Sequence, residues 1–363
     1  MDGTCEDAAM TNGLGNVTMR RLMLETSSLT EPGADRGLGR YTRAFRAAYA
    51  GNADLDLLEI SARGIWSLPR QLAKADDGMQ SPFHSTSAYS LPIVKTRPWI
   101  CSVQDIIPLD LNDYSNLGLK SSLAFKNACR SDFIVANSNY TASRIVAKLK
   151  YPLNRIVKIP LPVDPIFSSF RPGRAHREMY FSALVDLRAK DPRKRSPWLG
   201  PISEMLKREG LSLRVAGRGL QHLARIAPAA VRVEAPTDHD LAKFYAKSLG
   251  FIYTSAYEGQ GLPPLEAMAS GTPIIAFKNT SVSEMVGVGQ IMLDDPVPWE
   301  LQDLDREISK ESLQALVLKI RELVSDHDAW ASYSADAVER SADFGLDRFN
   351  REVNRLARKA VSL

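Results

Sequence analysis

Short apolar runs alternate with longer amphipathic stretches along most of the chain. Each run predicts a strand, because a strand buried on both faces reads as a continuous apolar segment. The predicted strands cover 20–26, 55–61, 99–103, 132–136, 155–160, 179–185, 211–217, 231–233, 250–255, 272–277 and 290–293, and the predicted helices 41–49, 121–129, 139–149, 311–325 and 328–342, with a last one ending near 360. Residues 63–90 show no clear period and are predicted to be irregular. Strands alternating with helices indicate an α/β fold with parallel sheets.

The alternation starts again near residue 178, which predicts two α/β domains in a chain of 363 residues. Residues 1–18 are small and polar with no apolar core. We therefore expect a disordered leader there rather than a signal peptide, with Met19 as an alternative start. No apolar stretch reaches the length needed to span a membrane.

The net charge is only +4, but residues 166–200 hold eight basic and three acidic residues. Such a run is typical of a site for nucleic acid, anionic lipid or a phosphate ligand, and a solvated linker is an equally plain reading of its first half. The three cysteines are widely spaced, which fits a reducing compartment and no disulfide framework. We therefore expect a cytoplasmic protein, with peripheral contact at the inner face of a membrane left open.

The most informative stretch runs from Gly250 to Pro273, where an apolar strand leads into a glycine turn and then a helix. Pro263 and Pro264 suit the first turn of that helix, since their missing N–H groups leave no bond unmade. A turn of this kind at a helix N-terminus attracts phosphate through free N–H groups and the helix dipole. Glu258 on the turn and Glu266 inside the helix are too far apart for a close acid/base pair, but they can contact different parts of one elongated ligand. Two merely solvated carboxylates are the alternative.

The spaced pair Glu258 and Glu266, with the turn between them, resembles the glutamate pair of retaining, nucleotide-sugar-dependent glycosyltransferases of family four, in group 1 of the glycosyltransferases. The resemblance implies a GT-B fold, in which two Rossmann-like domains face each other across a cleft. It also implies that Glu258 binds the donor sugar and Glu266 the ribose. The turn would bind the diphosphate through Gly259, Gly261 and Leu262.

The resemblance also sets the expected domain boundaries. An N-terminal acceptor domain would cover residues 19–165 and a linker residues 166–177. The donor domain would follow at 178–343, and a helix in 344–363 would return to the N-terminal domain.

The basic segment Asp191-Pro192-Arg193-Lys194-Arg195 resembles the family's Glu-Pro-Arg-Lys-Asn. There a basic pair neutralises the donor diphosphate, and this chain would use Lys194 with either Arg188 or Arg193. Arg218, after the next strand, is a further donor-binding candidate. No metal is expected, because the Asp-x-Asp pairs are interpreted as helix caps or surface residues.

The first half of the chain resembles the family more diffusely. Gly37 and Gly39 fall in a Gly-x-Gly-Arg-Tyr segment that would face the donor phosphates, although an ordinary loop has the same pattern. Gln104 stands where the family commonly has a histidine, and it cannot titrate near neutral pH. Asp105 is a candidate for acceptor or sugar hydroxyls or a plain strand cap. His84 is a cleft-lining candidate, although a lone histidine is more often structural.

The function implied is sugar transfer, with retention, from a nucleotide-diphosphate donor to a glycan or lipid-linked acceptor, without a cofactor or nucleic acid. GDP-mannose is the donor of the family's commonest relatives of this type. A nucleotide-sugar epimerase or a phosphorylase of the same architecture is an alternative enzyme. A non-catalytic protein that binds nucleotide sugar or glycan is an alternative from another class, and Gln104 keeps it open.

Overall fold

A computed structural model describes residues 20–30, 37–61, 67–75, 81–235 and 237–363. The predicted leader at 1–18 lies outside the described residues. The strands are β1 Arg20–Glu25, β2 Leu55–Ile60, β3 Phe83–Ser85, β4 Trp99–Val103, β5 Phe133–Ala136, β6 Ile156–Lys158, β7 Tyr180–Asp186, β8 Ser212–Arg218, β9 Val231–Arg232, β10 Gly250–Tyr253, β11 Ile274–Lys278 and β12 Ile291–Asp294.

Most of the predicted helices are confirmed. They are α1 Leu38–Ala50, α2 Ser67–Lys74, α3 Ile107–Asp110, α4 Gly118–Ala128, α5 Asn139–Leu149, α6 Leu199–Arg208, α7 Leu223–Ile226, α8 Asp238–Lys247, α9 Leu262–Ala269, α10 Thr280–Val286, α11 Lys310–Ser325, α12 His327–Ala342 and α13 Leu346–Ala360. No helix in these described ranges is both long and apolar enough to cross a bilayer.

The strands form two six-stranded parallel sheets, one in each half of the chain. The first has the order β2-β1-β3-β4-β5-β6 and the second β12-β11-β10-β7-β8-β9. The second order is the one typical of dinucleotide-binding folds, and it reverses between β7 and β10. In such sheets ligands bind outside the carboxyl ends of the strands at the reversal, so this is where a site is expected. The predicted α/β class with two Rossmann-like sheets is confirmed.

Each sheet is buried on both faces, which explains its continuous apolar strands. One cluster of the N-terminal sheet packs Phe83, Trp99 and Phe125 beneath α2, α4 and α5. On the opposite face, α1 packs against α13, with the rings of Phe45 and Phe349 5.2 Å apart. Helix α13 therefore lies on the N-terminal sheet although it follows the C-terminal sheet in sequence.

The predicted irregular segment 63–90 is wrong in two of its described parts. Residues Ser67–Lys74 form α2, and Phe83–Ser85 form β3, which pairs in parallel with β1 and β4. Strand β3 has only three residues, so its apolar period is too short to recognise. Its place at the centre of the sheet comes from the neighbouring strands.

Candidate active site

A cavity of about 660 Å³ lies between the two domains. The carboxyl ends of β7 and β10 form one wall, at the point where the order of the second sheet reverses. The loop after β10 and the start of α9 contribute most of the residues predicted from the glycine turn. The N-terminal domain closes the other side with Gly37, Gln104 and Asp105.

Glu258 is buried in this cavity and bonded on both carboxylate oxygens. Its Oε1 accepts hydrogen bonds from Tyr253 Oη at 2.7 Å and Ser255 Oγ at 2.6 Å, and it pairs with Lys194 Nζ. Its Oε2 lies 3.3 Å from Arg193 Nη1. These bonds hold the carboxylate in one orientation beside two cations.

The two cations lie in a tight turn after β7. Hydrogen bonds from the loop after β10 hold this turn in place. The backbone oxygen of Arg193 accepts a hydrogen bond from Ala256 N at 2.7 Å, and that of Lys194 accepts one from Thr254 Oγ1 at 2.9 Å. We call the turn that carries Arg193 and Lys194 the basic turn. The loop at residues 254–258 and the basic turn are therefore one hydrogen-bonded unit. Arg195, the next residue, has a structural role instead, because its buried guanidinium pairs with Asp295 at 2.9 Å.

The charges of this unit shift the pKa values of its side chains. Burial alone would raise the pKa of Glu258, but Lys194 and Arg193 outweigh burial and lower that pKa to about 2. Burial lowers the pKa of Lys194, and Glu258 partly offsets this. Burial also raises the pKa of the nearby Asp105, an effect that Arg193 opposes. Glu258 is therefore ionised at neutral pH.

The two glycines of the turn differ in what they do. A Cβ on Gly259 would lie 2.0 Å from the backbone oxygen of Gln104, so here the domains touch backbone to backbone. Gly259 O also accepts hydrogen bonds from Ser138 Oγ at 2.6 Å and Thr141 Oγ1 at 3.2 Å. Gly261 precedes α9 with φ of +87°, a conformation that suits glycine, and a Cβ there would make only ordinary contact with Val282, at 3.8 Å.

Glu266 meets a residue that the sequence analysis did not assign to the site, Arg40. Arg40 Nη1 donates to Glu266 Oε1 at 2.7 Å, and Nη2 lies 3.8 Å from Asp238. The guanidinium thus crosses the cleft from α1 to the helices of the second domain. Its only signal in the sequence is its place within the Gly-x-Gly-Arg-Tyr segment.

Asn137 is a second residue that the sequence analysis did not assign to the site. It lies just before the start of α5 and lines the cavity. Its Oδ1 is buried and has no hydrogen-bond partner in the described part of the chain. An unbonded amide oxygen facing a cavity is a ready acceptor for a ligand hydroxyl. The neighbouring Ser138 caps α5 and accepts a hydrogen bond from Thr141 N.

Several predicted residues fall elsewhere. His84 does not line the cleft: it is fully buried between Tyr49 Oη at 2.8 Å and Ser102 Oγ at 2.9 Å, inside the N-terminal core. Arg188 lies exposed at the rim and pairs with Asp186 at 2.9 Å.

Three other predicted residues are placed as follows. Gly39 is buried inside α1, Arg218 ends β8 outside the cavity lining, and Leu262 lines the cavity while packing against the N-terminal core.

The Asp-x-Asp pairs have structural partners. Asp240 N donates to Thr237 Oγ1 at the start of α8, and Asp326 Oδ1 accepts from Ala329 N at the start of α12. Asp56 and Asp303 pair with Arg21 and Arg306. Across the described residues, no group of three or more metal-binding side chains is found.

The domains are joined by further contacts beside the cavity. Tyr257 Oη donates to Asp110 Oδ2 at 2.7 Å, one residue before Glu258. Gln302 bonds the backbone of Asp110 and of Asn112, at 2.9 and 2.8 Å. Gln260 bonds both backbone groups of Leu161 at 2.9 Å. These contacts join the two domains on the sides of the cavity.

A family model described as glycosyl transferases group 1 matches residues 188–303, which include the basic turn and both glutamates. Two curated relatives come from Escherichia coli. The serotype-specific mannosyltransferase WbdA is 26% identical over 275 residues, 68% of this chain and 32% of WbdA. The O-antigen chain mannosyltransferase B is 27% identical over 262 residues, 69% of this chain and 63% of that protein. This chain thus spans about a third of the length of WbdA.

Two solved structures share the architecture over nearly the full chain. Sucrose-phosphate synthase from Thermosynechococcus elongatus superposes with a TM-score of 0.66 at 16% identity, covering 94% of this chain and 98% of that one. HepE of Anabaena, in complex with UDP and glucose, gives 0.65 at 15% identity, covering 95% and 100%. The chain therefore has the GT-B fold of these structures, and its residues 188–303 match the model of the group 1 glycosyltransferases.

Proposed function

We propose that this protein is a glycosyltransferase that moves a sugar from a nucleotide-diphosphate donor to a glycan or lipid-linked acceptor, with retention at the anomeric carbon. One observation carries the proposal. An ionised Glu258 lies beside Lys194 and Arg193 in an interdomain cavity, at the strand ends where α/β sheets bind ligands.

In this proposal the basic turn receives the departing diphosphate. Lys194 and Arg193 are paired with Glu258, and they would contact phosphate oxygens when the donor enters. A fixed pair of cations stabilises the negative charge that develops on the leaving group, without reorganising water. Gly261 and the N-terminus of α9 would add backbone N–H groups to the same charge.

Glu258 would position the donor sugar rather than attack it. Its Oε1 already accepts from Tyr253, Ser255 and Lys194, so this oxygen is poorly placed as a nucleophile. Its Oε2, with one long contact to Arg193, is the oxygen free to accept from sugar hydroxyls. Retention would then proceed by attack of the acceptor on the face from which the diphosphate leaves.

Glu266 would accept from the ribose hydroxyls, next to Arg40. On the acceptor side, Asp105 and Asn137 line the opposite wall and would bind hydroxyls of sugar or acceptor. We propose mannose as the transferred sugar and GDP-mannose as the donor, because the two Escherichia coli relatives carry mannosyltransferase names. A polysaccharide acceptor follows from the same names.

A thermal-shift panel of UDP-, GDP- and ADP-sugars tests the donor. A ligand at a hundred times its dissociation constant stabilises the protein by about 2.7 kcal/mol, which raises the melting temperature visibly. We expect GDP-mannose to give the largest shift. Product analysis by NMR should then show transfer to an acceptor with the anomeric configuration retained, and an inverted product would contradict the proposed chemistry.

The variant Glu258→Gln distinguishes a catalytic glycosyltransferase from a non-catalytic protein that only binds nucleotide sugar. The substitution keeps the size of the side chain but removes its charge, so turnover should fall sharply while the free nucleoside diphosphate still binds. A chain that binds nucleotide sugar but transfers nothing, even with its acceptor supplied, would favour the non-catalytic alternative that Gln104 left open. The curated relatives are named as transferases, so the epimerase alternative has no support.

A further inference from the structure

Asp191 lines the cavity just before the basic turn. An aspartate at such a position ordinarily bonds the free backbone N–H groups of the turn. In this turn, all of whose residues the structure describes, the Asp191 carboxylate forms no capping hydrogen bond. The backbone closes the turn instead, with Lys194 N donating to Asp191 O at 3.0 Å. The side chain of Asp191 is therefore available for other contacts, and it makes one with each of its two oxygens.

The first contact of the Asp191 carboxylate is with the basic turn itself. Its Oδ2 lies 3.0 Å from Arg193 Nη2, and Arg193 Nη1 lies 3.3 Å from Glu258 Oε2. The guanidinium of Arg193 is thus held between two carboxylates through different nitrogens. A donor that draws Glu258 to its sugar would leave the contact between Arg193 and Asp191 in place.

The second contact crosses the cleft. Tyr114, on the N-terminal domain, donates its hydroxyl to Asp191 Oδ1. Burial raises the pKa of Tyr114 and the bond to Asp191 adds to the rise, so the hydroxyl keeps its proton and is the donor. The ring of Tyr114 packs against an apolar cluster that contains Leu111 of the first domain and Tyr257 of the second. The hydrogen bond to Asp191 therefore forms only when the two domains are in contact.

We propose that Asp191 is a positioning residue for sugar transfer and that Tyr114 fixes its orientation when the domains meet. The inference rests on the proposed function, in which Arg193 receives the departing diphosphate. With Oδ1 bonded to Tyr114, Oδ2 of Asp191 is held toward Arg193, so the cation is aligned only while the domains are in contact. A cation that stabilises a leaving group acts best when its place is set before the reaction, and small displacements are expensive in rate.

The negative charge of Asp191 gives the proposal a sign that can be tested. A carboxylate near a diphosphate repels it, so Coulomb's law alone predicts that Asp191→Asn tightens diphosphate binding and speeds transfer. The positioning role predicts slower transfer. The amide keeps an oxygen that can accept from Tyr114, but it loses the charge that holds the guanidinium of Arg193. The two explanations thus differ in the sign of the change in turnover.

Transfer kinetics with GDP-mannose, beside calorimetry with GDP, test the proposal on the full chain. If the thermal-shift panel selects a UDP- or ADP-sugar, that sugar and its diphosphate replace them. Asp191→Asn and Tyr114→Phe should each lower kcat at least about tenfold, while affinity for the free diphosphate weakens by no more than about threefold. The double variant should be no slower than the slower single variant, because Tyr114 acts only through Asp191. A merely structural role would instead lower turnover, affinity and melting temperature together.

Two matched controls come from the same chain. Tyr89→Phe removes a hydroxyl that bonds Ser121 Oγ at 2.9 Å, and Asp56→Asn removes the charge of a surface pair with Arg21 at 2.7 Å. Both should turn over as the unmodified chain does. The proposal is overturned if Asp191→Asn transfers sugar as fast as the unmodified chain or faster, or if the two single losses multiply in the double variant. An unmodified chain that binds the donor but transfers nothing contradicts the proposed function, and this inference with it.

Discussion

Two arginines of the basic segment, five positions apart, have different surroundings. Arg193 reaches Glu258 inside the cleft, whereas Arg188 is exposed and held by Asp186 at the rim. The family resemblance alone left both open as the phosphate-binding arginine. We expect Arg193 to hold the phosphate, because its partly buried guanidinium lies beside a carboxylate that it can exchange for phosphate.

Alanine substitutions should separate these roles. Arg193→Ala and Lys194→Ala should each weaken binding of a nucleoside diphosphate by roughly 10- to 100-fold, the equivalent of a charge-assisted hydrogen bond of about 1.5–3 kcal/mol. Arg188→Ala is the matched control and should stay within about twofold, because an exposed ion pair contributes little. Calorimetric titration measures all three, and equal affinities would mean that the basic turn does not hold the diphosphate.

His84 predicts a pH dependence of stability rather than of turnover. Burial lowers its pKa to about 3, whereas an unfolded histidine titrates near 6.5. Between these values the unfolded chain binds a proton that the folded chain does not, so the free energy of unfolding falls as the pH falls, by up to about 1.4 kcal/mol per unit.

Urea unfolding at pH 7 and pH 4.5 checks this. His84→Gln should lose less stability over that interval than the unmodified chain does, although it is less stable at pH 7. His222→Gln, at an exposed position on the second domain, should follow the unmodified chain. A His84→Gln variant with the full loss would assign the acid sensitivity to other groups.

At the scale of elements, the local sequence pattern was sufficient to predict the strand, turn and helix around Glu258, because one continuous stretch of sequence forms them. Glu266 was identified in the same way. Its contact with Arg40 was not, since 226 positions separate the two residues and only the packing of the domains joins them. The crowding at Gly259 was missed for the same reason: it comes from Gln104, on the other domain.

The two glycines of the turn should therefore respond differently to alanine. Gly259→Ala forces a methyl group against Gln104 O and should push the domains apart, at a cost typical of overpacking, about 1–3 kcal/mol. Gly261→Ala makes only ordinary contact with Val282, at 3.8 Å, and should cost only the strain of its positive φ, about 1 kcal/mol. Thermal unfolding with small-angle scattering distinguishes them, since a larger radius of gyration is expected only for Gly259→Ala.

The molecule as a whole is two sheets joined by α13 and by polar contacts on either side of the cavity. Tyr257 and Gln302 connect the second domain to Asp110 and its neighbours. Tyr257→Phe combined with Gln302→Ala removes these hydrogen bonds without creating a clash. We expect a wider ligand-free particle, because a closed cleft depends on such small interdomain contacts.

Scattering of the ligand-free protein measures this opening. Tyr333→Phe is the control, because Tyr333 bonds Glu322 within the second domain at 3.1 Å. Its radius should equal that of the unmodified chain, while the double variant should be larger and should contract when donor is added. A double variant that stays compact would locate the closing contacts elsewhere.

The contacts that span the cleft have a kinetic consequence. Gly259 touches Gln104 and Arg40 spans to Glu266, so we expect donor entry to require a transient separation of these contacts. The observed association rate should then level off with rising donor concentration at the rate of opening. The measured dissociation constant would exceed the intrinsic one by the inverse of the open fraction. Loosening the interface would speed donor entry and slow the sugar transfer that follows. The reason is that the same interdomain contacts would limit access to the cavity and align the reactants.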